Sequence, residues 1–263
     1  MCRIFGYLGQ PIQLEHLLVK PDHSLIVQSY QPKELRNALL NADGFGIGWY
    51  HATQPEALPF LYKNVLPIWN DTNLPHLCRY VETHCTIANI RSATPGLAVD
   101  LGNTHPFTHD RLLFVHNGFI ENFRHTLYRP IRNQLSDTAY QSIHGTTDSE
   151  HLFALLCDRL ARTPGLSLTD ALAETIQIVT DLAAPKSIPI YLNLMVTDGQ
   201  QIAVSRYARQ GPTPSLYWLR DDPSWSHSVA IASEPMFDGN WLPCNEASIL
   251  TVDTDLEIDI RYL

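Results

Sequence analysis

The chain has 263 residues, 44% of them hydrophobic and 17% charged, with a formal net charge of −9. That profile suits one large soluble α/β domain or two small ones. The acidic balance, with no basic block, argues against nucleic acid or an anionic membrane as partner. There is no run of about 18 apolar residues to span a bilayer, and the N-terminus lacks a charged segment followed by an apolar one. The cysteines Cys2, Cys78, Cys85, Cys157 and Cys244 are odd in number and without paired spacing. This points to a reducing compartment, the cytoplasm.

Met1-Cys2 opens the chain. Loss of Met1 would leave Cys2 with both a thiol and a free α-amine. The thiol is a nucleophile that needs a base to become a thiolate. An α-amine, with a pKa of roughly 7.7–8.0, is suited to that task. A Cys beside a start Met ordinarily carries no meaning, so support must come from further along. Residues 4–9 form a short apolar run that predicts a buried strand, which would hold Cys2 rigidly at its root. Residues 34–40 predict a short helix. Gly44, Gly46 and Gly48 alternate in a predicted strand that continues through Trp49 and Tyr50, a pattern that marks close approach of backbone or ligand. The proline-rich residues 52–76 read as loop around a short strand.

Residues 86–90 predict a strand leading into Arg91-Ser92-Ala93-Thr94, and Pro95-Gly96 turns the chain. Residues 103–107 read as loop. Residues 112–115 predict a strand ending in His116-Asn117-Gly118, and residues 124–145 a polar surface excursion. Thr147-Asp148-Ser149-Glu150 starts a helix with Leu152, Leu155, Leu156 and Leu160 on one stripe. A second helix from Ser167 carries Leu172, Ile176, Val179 and Leu182. Strands follow at 192–196, 201–205, 215–219, 229–232, 247–252 and 256–260, the first two as a hairpin across Asp198-Gly199. Strands in runs, with paired helices between them, predict an α+β fold of stacked, mainly antiparallel sheets with helices outside.

Asn117 and the backbone of Gly118 offer two donors for an oxyanion; the dipeptide equally suits a plain turn. Arg91 at a strand end can grip a carboxylate or form a surface ion pair. Asp148 can bind an ammonium or merely cap its helix. His76, Cys78, His84 and Cys85 match no recurring zinc spacing.

Taken together, the ordered set Met1-Cys2, Arg91-x-Ala93-Thr94, Asn103-x-His105-Pro106, His116-Asn117-Gly118 and Thr147-Asp148-Ser149-Glu150 resembles the class II glutamine amidotransferase domains of the N-terminal-nucleophile hydrolases. The resemblance implies a four-layer αββα sandwich formed by a single domain over residues 1–263, active from Cys2. It implies Cys2 as nucleophile with its own α-amine as base, and Asn117 with Gly118 as oxyanion hole. Arg91 would hold the α-carboxylate of a γ-glutamyl substrate, Asp148 its α-ammonium, and Thr94 and His105 would line the pocket. No metal or cofactor is implied. Asn89 and Pro95 stand where many such domains carry His. The opening segment and residues 41–49 look like the stand-alone branch, which includes the ergothioneine-pathway γ-glutamyl hercynylcysteine sulfoxide hydrolases. A glutaminase subunit feeding a separate synthase and a non-catalytic γ-glutamyl-binding module are the alternatives. The residues leave the oligomeric state open.

Overall fold

The structure, a computed structural model, describes residues 2–34, 40–54, 56–93, 96 and 98–263. The short helix expected at 34–40 lies almost wholly outside the described residues, as do Met1 and Thr94.

The strands are β1 (Arg3–Gln13), β2 (Phe45–Trp49), β3 (Phe60–Asn64), β4 (Glu82–Ile90), β5 (Phe107–His109), β6 (Leu112–Ile120), β7 (Ile190–Thr197), β8 (Ile202–Arg206), β9 (Ala208–Arg209), β10 (Tyr217–Asp222), β11 (Trp225–Ala232), β12 (Leu242–Pro243), β13 (Ser248–Val252) and β14 (Ile258–Tyr262). The helices are α1 (Leu14–Leu18), α2 (Leu25–Tyr30), α3 (Leu74–Tyr80), α4 (Tyr128–Arg132), α5 (Asp137–Gln141), α6 (Asp148–Arg162) and α7 (Leu168–Ala183). One sheet has the order β12-β10-β11-β1-β4-β2-β3. The other runs β14-β13-β8-β7-β6-β5, with β9 also paired to β7. The strand pairs joining both sheets are antiparallel.

Period-two alternation divides each strand between two cores. Ile4 and Leu8 of β1 meet Ile87, Leu113, Val115 and Met195 between the sheets. Phe5 and Tyr7 point the other way and pack with Leu14, Leu17 and Leu25 beneath the α1–α3 layer. On the far side Leu152, Leu156, Leu172, Ile176 and Val179 of α6 and α7 cover Phe114, Leu192 and Leu194 of the second sheet. The layers are therefore α, β, β, α, as expected. Thr147 and Ser167 cap α6 and α7, their hydroxyls accepting the N–H of Glu150 at 3.3 Å and Asp170 at 3.0 Å. Among the described residues no helix is long and apolar enough to cross a membrane.

Four local expectations change. β1 runs past Gly9 to Gln13, and the register shift between Leu8 and Ile12 accommodates Pro11, which has no N–H for the ladder. The 52–76 loop ends in a helix, α3, with Leu74 and Cys78 buried. β6 does not stop at Val115 but carries His116, Asn117 and Gly118 inside the strand, opposite β7. Residues 124–145 are no free excursion. Leu127, Ile131 and Ala139 are buried, and Arg132 donates to Nε2 of His151 on α6 at 2.9 Å. Polar composition hid this docking, because α4 and α5 bury only one residue each, Ile131 and Ala139.

Candidate active site

Cys2 directly precedes β1 and is 7% exposed, with Sγ 3.9 Å from the Ser92 carbonyl. It shares the strand parity of Ile4 and Leu8, so it faces the inter-sheet space. β1 and β4 pair Arg3 with Ile90 and Ile4 with Asn89; continuing that register sets Cys2 opposite Arg91. Arg91 is fixed at its backbone, donating its N–H to Gly44 at 2.8 Å while its carbonyl accepts from Asp43 at 3.1 Å. Its side chain is nearly buried. Nη2 donates to the Ala98 carbonyl at 3.3 Å, and Nη1 has no partner among the described residues.

The strands meet at Ser233. Its hydroxyl oxygen accepts the N–H of Ile4 at 2.9 Å and Asn117 Nδ2 at 3.3 Å, and its own N–H donates to the Ile4 carbonyl at 3.0 Å. One serine thus ties β1, next to Cys2, to Asn117 on β6. An Asn amide has two N–H donors, so one remains for an oxyanion. The turn alternative for Asn117-Gly118 does not hold, since both lie within β6.

In an antiparallel ladder successive N–H groups point to opposite sides. Leu192 of β7 donates to Tyr207, away from β6, at 2.8 Å, and Gly118 sits opposite it. The Gly118 N–H therefore points away from β7, to the side where Ile120 donates to Asp148 Oδ2 at 2.8 Å. Glycine is required there: a Cβ would strike the Tyr191 carbonyl and lie 2.6 Å from Nε2 of His116.

Asp148 is not the helix cap; that role falls to Thr147. Asp148 begins α6 and accepts from Ile120 and, through Oδ1, from the Ser149 N–H at 2.8 Å. It braces α6 against the strand that carries Asn117, three residues beyond it. His116 completes the joint. Its Nε2 lies 2.9 Å from the Tyr191 carbonyl, which can only accept, so Nε2 carries a hydrogen, and its Nδ1 lies 2.9 Å from Ser149 Oγ. Burial, working against the opposing charge of Asp148, holds this ring's pKa below the usual value and favours the neutral form. His105 is 3% exposed, and both its ring nitrogens lack partners among the described residues. Burial lowers its pKa strongly, with His116 and Arg91 adding repulsion.

The structure thus sets Cys2 opposite Arg91 by continuation of the strand register, ties β1 to Asn117 through Ser233, and links Gly118 and Asp148 to Asn117 through β6. His105 enters by the electrostatics it shares with Arg91 and His116. Thr94 lies outside the described residues. Sequence reasoning missed Ser233, whose polar side chain follows an apolar strand with nothing to say which strand it meets. It placed Asn103 in a motif without giving it a role; Asn103 donates to Ala98 at 3.2 Å and accepts from Thr146 N–H at 2.9 Å. That residue joins the loop over Arg91 to the approach of α6. Asn193, fully buried, faces Asn117 across β6 and β7.

Several buried polar atoms on these residues have no partner among the described residues: Arg91 Nη1, Asn117 Oδ1, Asn193 Oδ1, Asn89 Oδ1 and both nitrogens of His105. Each costs about 1–3 kcal/mol if left unpaired, which makes these residues candidates for contact with a ligand. Beside them opens a cavity of about 580 Å³, lined by Arg3, Phe119 and Tyr191 rather than by Cys2 itself. Among the described residues no three His, Cys, Asp or Glu are placed to hold a metal. Cys78 lies in the helix-side core and Cys85 between the sheets, and burial raises both thiols to about 12.

Residues 19–232 match the family model described as glutamine amidotransferases class-II; the match begins after Cys2. The chain is 32% identical to the probable glutamine amidotransferase DUG3 of Saccharomyces cerevisiae, over 96% of this chain and 82% of that protein. It is 30% identical to the gamma-glutamyl-hercynylcysteine sulfoxide hydrolase of Mycobacterium tuberculosis, over 90% of this chain and 86% of that one. Among solved structures, a glutamine aminotransferase class-II domain protein from Silicibacter pomeroyi superposes with a TM-score of 0.71 at 25% identity, covering 99% of both chains.

Proposed function

The chain belongs to the class II glutamine amidotransferases, and from that premise we propose that it hydrolyses a γ-glutamyl amide through a thioester on Cys2. It is a hydrolase acting on an amide C–N bond. In the proposed cycle the Cys2 α-amine takes the thiol proton, and the thiolate attacks the δ-carbonyl carbon. The oxyanion is met by the free Nδ2 hydrogen of Asn117 and the Gly118 N–H. Collapse breaks the C–N bond, the proton passes to the leaving nitrogen, and a glutamyl thioester remains. Water, deprotonated by the same amine, then adds. The C–S bond breaks, the thiolate regains its proton and glutamate departs. Arg91 Nη1 grips the substrate α-carboxylate, Asp148 its α-ammonium, and neutral His105 forms part of the pocket wall. We take residues 1–263 to act as one domain in a reducing, cytoplasmic setting.

The single observation that carries this reading is Ser233 holding Asn117 and the strand beside Cys2 together, with unpaired buried polar atoms, Arg91 Nη1 among them, on the neighbouring residues. The substrate we propose is a γ-glutamyl conjugate with a large leaving amine, of the kind for which the mycobacterial relative is named. The cavity beside the site favours it over ammonia release.

Two measurements test the proposal. Intact mass should show Met1 absent from active protein; full activity with Met1 retained overturns the mechanism. A glutamate-release assay over γ-glutamyl compounds, glutamine included, should rank a bulky conjugate first. Free glutamine as the best donor would instead indicate a subunit supplying ammonia to a separate synthase.

A further inference from the structure

β14 lies at the edge of its sheet, and β13 is its sole strand neighbour among the described residues. The Leu263 N–H donates to the Ala247 carbonyl at 2.9 Å, one step beyond the pair Ser248 and Tyr262. Antiparallel ladders alternate hydrogen-bonded and non-hydrogen-bonded pairs. Asp259 and Arg261 therefore bond to β13, while the N–H and C=O groups of Ile258, Ile260 and Tyr262 point out of the sheet. Such an open row is a template for another strand. The other edges are shielded differently. β12 and β5 are only two and three residues long. At β3, Lys63 donates to the Leu101 and Thr104 carbonyls at 2.9 and 3.0 Å, which ties that edge to a loop of the same chain.

The side chains of β14 divide by strand parity. Ile258 and Ile260 stand opposite Val252 and Leu250, on the inter-sheet face. Tyr262 continues that row and is 67% exposed. Asp259 and Arg261 stand opposite Thr251 and Ile249 on the face toward α7, where Arg261 donates to Asp170. Arg261 also lines a groove of about 660 Å³ between α7 and this edge.

The order of these side chains is self-complementary. A two-fold axis through Ile260 sets Ile260 against its own copy, Ile258 against Tyr262 and Asp259 against Arg261. The outward backbone groups of Ile258, Ile260 and Tyr262 then all fall in hydrogen-bonded pairs. Both Asp–Arg pairs fall in the closer, non-hydrogen-bonded positions, where side chains interact most strongly. Moving the axis to Asp259 or Arg261 instead places two carboxylates or two guanidiniums face to face, which is destabilising. Charge thus selects the register, and it selects a second copy over an unrelated strand. We infer that β14 is an interface between two copies of this chain, joined edge to edge about Ile260 in one continuous antiparallel sheet, with Ile258 covering the exposed Tyr262 ring of the other copy. This does not depend on the reaction proposed above.

Sedimentation velocity tests it. The unaltered chain should pass from monomer to dimer as its concentration rises toward roughly 0.5 mM, because a single strand pair is a small interface. Asp259→Lys and Arg261→Glu, both at exposed positions, each turn the two charge pairs into like pairs and should raise Kd at least about tenfold. With both variants folded by circular dichroism, their equimolar mixture should dimerise again, since one brings only cations to the contact and the other only carboxylates. Should Arg261→Glu fail to fold for want of its Asp170 contact, the Asp259→Lys shift decides alone. Hydrogen exchange reads the register: the Ile258, Ile260 and Tyr262 amides should gain protection with concentration, and those of Asp259 and Arg261 should not change. A chain that stays monomeric throughout overturns the inference and leaves the edge to a different partner. A dimer indifferent to Asp259→Lys, or folded variants that do not associate when mixed, overturns it as well.

Discussion

At the scale of single residues, the site depends on polar groups left unsatisfied in a buried place. Asn117 has one amide hydrogen committed to Ser233 and one to give. Asn117→Ala should lower kcat about 10²–10³-fold, with glutamate-release kinetics as the measurement; an unchanged kcat would reduce Asn117 to a strand residue. Ser233→Ala removes the hydroxyl that the Ile4 N–H and Asn117 share, so it should lower kcat while leaving KM nearly unchanged. Arg91→Lys keeps the charge but loses the fork geometry that grips a carboxylate, and should raise KM for every γ-glutamyl donor alike.

At the scale of elements, the beginning of α6 separates two roles that the sequence left entangled. Thr147 caps the helix and Asp148 braces β6. Thr147→Ala should cost about 1 kcal/mol of stability, read by denaturant unfolding, with kinetics little changed. Asp148→Asn should act chiefly on KM for donors with a free α-amine. If Asp148→Asn alters stability alone, the carboxylate is only a brace. Gly118→Ala puts a methyl group against the Tyr191 carbonyl and the His116 ring, at a cost of about 1–3 kcal/mol. It should lower the melting temperature and the activity together, because the same strand carries Asn117.

For the whole molecule, buried neutral histidines set the response to acid. His105, His116 and His151 all have pKa values lowered by burial, His151 to about 4. In His151, Nδ1 lies 2.7 Å from the Thr147 carbonyl and Nε2 accepts from Arg132, so protonation breaks the bond that docks α4. The unfolded chain binds these protons near pH 6.5 while the folded chain does not. Stability is therefore full above that pH and falls as pH drops toward the folded values, by up to about 1.4 kcal/mol per pH unit for each histidine. Denaturant midpoints between pH 7 and 5 should decline accordingly, and His151→Gln should flatten the slope by one histidine's share. An unaltered slope would place His151 outside this response.

The sequence by itself determined the layers and most of the stations. Period-two and helical spacing are local properties, so the sheets, α6 and α7 were legible, and the ordered motifs singled out Cys2, Arg91, Asn117 and Asp148 as candidates. Short elements escaped: α3, α4 and α5 bury too few residues to mark a period, and β6 crosses an Asn-Gly pair that locally favours a turn. Only tertiary structure decided which polar residues meet. Ser233 lies 116 positions from Asn117 and 229 from Ile4, and Glu234 is 211 from His23. Such contacts are set by sheet register and strand order, which no local pattern encodes. The same holds for the cavity, whose walls come from β1, β6, β7 and the 212–217 segment.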